Sequence, residues 1–175
     1  PADVQAVREL ARVYDTLGRT RELLATETRL AEIEPDVDMK VELYRSIAER
    51  WLDQFSNVQN AVEAYEKLRE FAPHDKDAIQ KLKDLYQKRR AYKALFDLEE
   101  VEAKTLVGEA RRALWLDMAK IASARLDRGD EATRLYKAVL DEDPSSAVAL
   151  DSLEKQAERD KDFVTVADVL ERRSN

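Results

Sequence analysis

The side chains in this sequence that could do chemistry are one histidine, scattered carboxylates and one dense group of cations. His74 could serve as a base or a metal ligand, but a conventional zinc or nucleophile site needs further histidine or cysteine side chains. The sequence has no cysteine, and its three glycines lie too far apart to build a phosphate-binding loop. We therefore predict that the protein is not an enzyme, holds no metal or cofactor, and exposes His74 in a turn.

The dense group of cations lies in residues 88–93 and contains one aromatic residue, Tyr92. Cations interleaved with aromatics are typical of proteins that bind single-stranded nucleic acids. Here Asp97 and the glutamates that follow it balance the cations, and the formal net charge of −7 disfavours a phosphate-binding surface. We therefore predict a charged turn and no nucleic-acid partner.

The composition indicates that helices must position these side chains. The sequence is 38% charged and 44% hydrophobic, is rich in strong helix formers, and has only three glycines and four prolines. No apolar run is long enough to span a membrane, so we predict no membrane partner and a cytoplasmic location. The chain opens on Pro1 without an initiator methionine or a signal peptide. We expect a segment of a longer protein, whose targeting signals, if any, lie outside this sequence.

The sequence repeats itself at a fixed period. Shifting it by 71 residues superposes Tyr44 on Trp115, and Tyr65 on Tyr136. A second set of matches at 72 residues interleaves with the first, so the unit is about 35 residues long. Five units result, at about 3–36, 38–74, 75–108, 109–144 and 145–175.

Each unit has the periodicity of two helices. Tyr44, Ala48 and Trp51 recur at the spacing of one helix face, and Ala61 and Tyr65 mark a second helix. Breaks that contain proline, such as residues 72–75, separate one unit from the next. The pattern predicts ten helices in five antiparallel pairs. We expect the recurring aromatic residues to lie inside the stacked layers: Tyr44, Trp51, Tyr65, Trp115 and Tyr136.

These recurring positions resemble the tetratricopeptide-repeat family. In that family the first helix carries a large residue, an aliphatic residue, a small residue and an aromatic, as in Tyr44, Ile47, Ala48 and Trp51. The resemblance covers nearly the whole chain. It is weaker in the third and fifth units, where Lys83 and Glu154 take the small-residue position. The resemblance implies an all-α, right-handed solenoid of about five antiparallel helix pairs in a single segment.

Two glutamates fall on positions of the repeat that are otherwise aromatic. Glu27 and Glu99 lie where the even units carry the second-helix residues Tyr65 and Tyr136. An unpaired carboxylate in a core is costly. We expect a slight rotation of these helices to expose both glutamates; otherwise each pairs with an arginine of a neighbouring helix.

Tetratricopeptide solenoids bind ligands in the groove that their first helices line, so the resemblance places candidate binding residues there. The candidate partner-binding residues are Arg8, Arg12, Arg45, Glu49, Asp84 and Lys120. The three arginines would form a cationic end that suits a carboxylate of the partner. The whole set is mixed in sign, so we do not expect the partner to be a simple acidic or basic tail.

The sequence thus predicts a scaffold or adaptor segment that binds a protein or peptide. One alternative is a regulatory or sensor region attached to a catalytic or DNA-binding domain outside this sequence. Another is self-assembly, since repeat arrays without capping units have adhesive ends. In the last helix we expect Phe163, Val166 and Leu170 to face the preceding helix, and Val164 and Val169 to point outward. Outward valines would support weak end-to-end contacts.

Overall fold

The computed structural model describes residues 3–174, which form ten α-helices and no strand. The helices are α1 (Val4–Thr16), α2 (Thr20–Ile33), α3 (Val37–Asp53), α4 (Val58–Phe71), α5 (Lys76–Arg89), α6 (Tyr92–Ala103), α7 (Gly108–Arg125), α8 (Gly129–Glu142), α9 (Ala147–Asp160) and α10 (Phe163–Ser174). The prediction of an all-α protein with ten helices is confirmed.

The helices group into two compact structural units, each larger than one sequence repeat, and the division falls between Arg89 and Arg90. From here on, the first unit and the second unit are these two structural units. The first unit contains α1–α5 and the second contains α6–α10. Within each unit, helices that are consecutive in the chain pack against each other. That all 175 residues form one continuous solenoid stays a prediction.

The turn that follows each odd-numbered helix contains a residue in the left-handed conformation. The φ angles are 65° at Gly18, 49° at Ser56, 57° at Arg90, 55° at Asp127 and 59° at Lys161. This conformation lets the next N–H bond back to the helix, as Arg19 N–H does to the Tyr14 carbonyl at 2.9 Å. Glycine adopts it freely, whereas other residues lose about 1–2 kcal/mol. The same turn geometry therefore recurs with different residues.

Carboxylates that follow a proline-containing break cap the next helix. Asp36 accepts a hydrogen bond from the Met39 N–H at 2.9 Å at the start of α3. Asp75 accepts one from the Ala78 N–H at 2.8 Å at the start of α5. Such caps satisfy backbone donors that have no partner inside the helix, so they set where each pair begins.

The aromatic residues of the repeat divide into buried and half-buried ones. Tyr44, Tyr65 and Tyr136 are buried, as predicted. Trp51 and Trp115 are only half-buried, so the prediction of full burial is wrong for these two. Both indoles line pockets that open to solvent.

The last helix has a different register from the one expected. Phe163 and Leu170 are exposed, whereas Val169 is fully buried, so the predicted facing of α10 is wrong at these positions. The side chain of Asp162 accepts hydrogen bonds from the N–H and the hydroxyl of Thr165 at 3.1 and 2.6 Å. This cap turns Thr165 inward, and Val169 follows one helical turn later on the same face. The predicted end-to-end association stays a prediction.

Candidate protein-binding surface

The six candidate partner-binding residues all lie on first helices of the pairs. They are Arg8 and Arg12 on α1, Arg45 and Glu49 on α3, Asp84 on α5, and Lys120 on α7. All six side chains are exposed or half-buried. We use the name first-helix surface for the exposed side of α1, α3 and α5 in the first unit; Lys120 belongs to the second unit.

Arg8 is already engaged within the chain. Its Nη2 donates a hydrogen bond to Oε2 of Glu34 at 2.6 Å, and the Glu34 side chain is only 4% exposed. Glu34 caps the carboxyl end of α2. A charge-assisted bond to a buried partner fixes the position of a guanidinium and compensates its charge. Arg8 is therefore a positioned group that links α1 to the end of α2.

Arg45 forms the corresponding ion pair one helix pair further along. Its Nη2 donates to Oδ2 of Asp75 at 2.5 Å. Burial acts to raise the pKa of Asp75, but hydrogen bonds from the Ala78 N–H and from Arg45 outweigh it and hold that pKa below its ordinary value. Burial likewise acts to lower the pKa of Arg45, and the Asp75 carboxylate outweighs it. The pair is therefore fully ionised at neutral pH.

The second unit contains the same kind of ion pair. Arg111 of α7 donates to Glu142, the last residue of α8, and Arg112 lies 3.7 Å from the same carboxylate. The sequence reasoning missed all three of these pairs. A signal was present, because the acidic residue of each pair lies within two positions of the proline at its turn, as Glu34 does beside Pro35.

The other candidate residues remain accessible. Arg12 donates to Glu9 at 2.7 Å with a side chain that is 68% exposed, and Lys120 donates to Asp117 at 3.0 Å. Asp84 accepts a hydrogen bond from Gln80 at 3.0 Å. Exposed pairs one helical turn apart contribute little to stability, typically about 0–1 kcal/mol. These side chains can therefore exchange their local partners for a ligand at low cost.

Glu27 is buried, which contradicts the expectation that its helix rotates it into solvent. The alternative, a pair with an arginine of a neighbouring helix, is what the structure contains: Oε2 lies 3.5 Å from Nε of Arg50 on α3. Arg50 also lies 3.5 Å from Asp15 of α1. Burial raises the pKa of Glu27, Arg50 acts against that rise, and Asp15 adds to it. Glu99 is buried as well, so exposure is wrong for both glutamates.

A pocket of about 460 Å³ opens between α2, α3 and α4 in the first unit, and we call it the α2–α4 pocket. Its floor consists of Tyr44, Ile47 and Trp51 of α3. Its rim carries four glutamates and one lysine, which gives a formal net charge of −3: Glu32, Glu63, Glu66, Glu70 and Lys67. Burial raises the pKa of Tyr44, and Glu32 raises it further, so the floor experiences the negative charge of the rim.

A smaller pocket of about 270 Å³ opens between α6, α7 and α8 in the second unit, and we call it the α6–α8 pocket. Trp115 and Met118 occupy the repeat positions that Tyr44 and Ile47 occupy in the first unit. Its rim carries one glutamate and three cations, a formal net charge of +2: Glu100, Lys104, Arg111 and Arg134. Neither pocket was anticipated, since their walls combine residues from three helices.

The residues that the sequence singled out for other chemistry lie on the surface. His74 is exposed in the turn between α4 and α5, as predicted. In the second unit Lys93 pairs with Asp97 at 3.1 Å, and the Arg125 guanidinium lies 5.2 Å from the Tyr92 ring. Among residues 3–174 we find no group of histidine, cysteine and carboxylate side chains suited to a metal ion. The described helices include none with the length and apolar character needed to cross a membrane.

Solved structures with a similar fold match nearly the whole chain. No family model matches the sequence, and no curated protein does. YrrB, a tetratricopeptide-repeat protein with an unusual peptide-binding site, is 15% identical with a TM-score of 0.50 over 97% of this chain and 84% of its own. MamA from AMB-1 is 15% identical with a TM-score of 0.51 over 95% and 94%. MamA from RS-1, as a double mutant, is 16% identical with a TM-score of 0.50 over 97% and 91%. At these identities the likeness concerns the fold.

Proposed function

We propose that this chain, which has the tetratricopeptide-repeat fold, is an interaction scaffold that binds a protein or peptide on its first-helix surface. The observation that carries the proposal is a recurring arrangement of charge. On α1 and again on α3, an arginine held by an internal carboxylate stands one helical turn before an exposed charged side chain. The two sets are Arg8 with Arg12, and Arg45 with Glu49.

This arrangement suits binding rather than bond chemistry. A fixed guanidinium offers hydrogen-bond donors without the entropy cost of ordering them, which favours affinity. The neighbouring exposed charges carry both signs, so they complement a protein segment better than a uniformly charged polymer. YrrB supports the proposal as a protein of the same fold that has a peptide-binding site. Fold alone does not establish function, so the surface itself must be tested.

The test is an affinity capture that compares two triple variants. The first reverses exposed charges of first helices: Arg12→Glu, Glu49→Arg and Asp84→Lys. The matched control makes the same charge changes on second helices: Arg29→Glu, Asp97→Lys and Asp141→Lys. We expect the wild type and the control to capture the same partner from an extract, and the first-helix variant to lose it. Equal capture by all three proteins would rule out the first-helix surface.

A further inference from the structure

We propose that the α2–α4 pocket is a second binding site, which takes an arginine side chain from a basic segment of a partner protein. The site lies apart from the first-helix surface. On α3 the pocket residues Tyr44 and Trp51 point about 130° away from Arg45 and Glu49 around the helix axis, at about 100° per residue. The inference therefore does not depend on the proposed function, and either can fail without the other.

The floor of the pocket suits the flat face of a guanidinium. Tyr44 and Ile47 are buried, and Trp51 is half-buried beside them with its ring 5.1 Å from that of Phe55. The faces of tryptophan and tyrosine rings attract cations, and arginine stacks on them more readily than lysine. A pocket of about 460 Å³ has room for one long side chain and the backbone beside it.

The rim selects a cation over an anion. Lys67 is held by Glu70 at 2.9 Å, which leaves the pocket with the charges of Glu32, Glu63 and Glu66. Glu66 already accepts a hydrogen bond from the Tyr86 hydroxyl at 2.6 Å. Glu32 and Glu63 line the pocket from two different helices, α2 and α4, so two carboxylates are available to a guanidinium on the floor. Nucleic acids and anionic membrane surfaces are excluded by this charge.

The second unit shows the same chemistry satisfied within the chain. In the α6–α8 pocket, the Arg111 guanidinium lies 4.9 Å from the centre of the Trp115 ring and pairs with Glu142. An arginine of the chain itself thus lies over the aromatic ring of Trp115 and beside a carboxylate. Trp115 is the residue equivalent to Tyr44. In the first unit the residue equivalent to Arg111 is Lys40, which lies over Phe71 at 4.7 Å. The arginine that the α2–α4 pocket suits would come from a partner.

The two tryptophans of the chain allow each pocket to be observed separately. Each indole N–H gives one signal in a proton–nitrogen correlation spectrum, and Trp51→Phe and Trp115→Phe assign them. The probe is a short blocked peptide that alternates arginine and glycine, titrated into the full chain. We expect a saturable shift of the Trp51 signal that weakens as salt is added, with the Trp115 signal unmoved. The same peptide with glutamate in place of arginine should leave Trp51 unchanged.

A charge-reversal variant and its control decide whether the rim is responsible. Glu63→Arg introduces the residue type found at the equivalent position, Arg134, and should weaken peptide binding about fivefold or more. Glu158→Arg makes the same change in charge on an exposed site of α9 and should leave binding within about twofold of the wild type. Circular dichroism confirms that both variants are folded. An unmoved Trp51 signal at millimolar peptide, or equal weakening in both variants, would overturn the proposal.

Discussion

The α2–α4 and α6–α8 pockets occupy the same place in the repeat, yet their rims carry opposite charge. Tyr44 on the floor of the first corresponds to Trp115 in the second. On the rim, Glu32 corresponds to Lys104, at a shift of 72 residues, and Glu63 to Arg134, at a shift of 71. The aromatic floor position occupied by Tyr44 stays aromatic, while these two rim positions reverse their sign.

This difference separates what the fold requires from what it permits. Floor residues touch the packed interior, where a change of volume costs several kcal/mol, about 2–5 for large-to-small substitutions. Rim residues are exposed or half-buried, and exposed charge pairs are worth only about 0–1 kcal/mol each. The helix packing therefore tolerates either sign at the rim. Because the packing does not fix the rim charge, that charge can determine which ligand each pocket binds.

The largest expected effect compares the two floors. Tyr44→Ala should cost about 3 kcal/mol or more, because Tyr44 is 7% exposed and stacks on Phe71 at 6.1 Å. Trp115→Ala should cost less, about 1–2 kcal/mol, because the larger indole is only half-buried. Urea denaturation of both variants measures the difference, with Tyr44→Phe as a control that keeps the ring. An equal or greater loss for Trp115→Ala would show that the floor of the α6–α8 pocket contributes at least as much to stability as that of the α2–α4 pocket.

A second expected effect belongs to the first unit. Arg50→Met keeps an apolar stem but removes the cation beside Glu27, leaving a buried carboxylate with less compensation. Breaking such a pair should cost about 2 kcal/mol, less than for a fully buried pair since Arg50 is 28% exposed. The second unit has Ile121 at the position equivalent to Arg50, so this substitution has no counterpart there. The measurement is again the urea midpoint.

The double variant Arg50→Met with Glu27→Gln provides the control. Once the carboxylate is gone, the missing cation should matter much less, and at least half of the lost stability should return. If the double variant were as unstable as Arg50→Met alone, the loss would come from the packing of the arginine stem. The ion pair would then have little part in holding α2 against α3.

Much of the fold could be predicted from the sequence because it depends on local patterns. Helix faces repeat every few residues, and proline with a following acid marks where a pair ends and the next begins, as at Asp36 and Asp75. The register of α10 escaped this reasoning because its apolar residues occur on more than one face. The hydrogen bonds from Thr165 to Asp162 select the face that is buried.

Binding features were harder to predict because they join residues from separate helices. Arg8 and Glu34 are 26 positions apart, and their pairing depends on how α1 and α2 pack. Glu32 and Glu63 both have the appearance of ordinary solvated charges when each helix is taken alone. Periodicity places Trp51 on an apolar face but cannot tell a core from the wall of a pocket. Comparing equivalent positions of the two units reveals the rims once the floors are known.

A third expected effect tests the internal arginine of the α6–α8 pocket. Arg111→Gln removes the ion pair to Glu142 and the cation over Trp115, at a cost of about 1 kcal/mol. The indole should also become more accessible to acrylamide, measured by fluorescence quenching in a Trp51→Phe background. Lys40→Gln is the matched change in the first unit and should cost less, since Lys40 covers Phe71 and forms no ion pair within the described residues. Equal costs would mean that the Glu142 pair adds nothing.

The smallest expected effect is the pH dependence of Glu27 itself. Burial raises the pKa of Glu27 above its ordinary value of 4.5 in spite of Arg50, so the folded state holds this proton more tightly than the unfolded state does. The wild type therefore gains stability as pH falls from neutral through the folded pKa towards 4.5, whereas a glutamine at this position gains none.

At neutral pH, Glu27→Gln should be more stable than the wild type by about 0.5–1 kcal/mol, because it removes a buried charge whose Oε2 makes no hydrogen bond within the described residues. That advantage should shrink as the pH is lowered, which urea midpoints at several pH values will show. Glu49→Gln removes one exposed negative charge from α3 and corrects for the general effect of net charge. An advantage that grew in acid would mean that Arg50 stabilises the carboxylate more than burial penalises it.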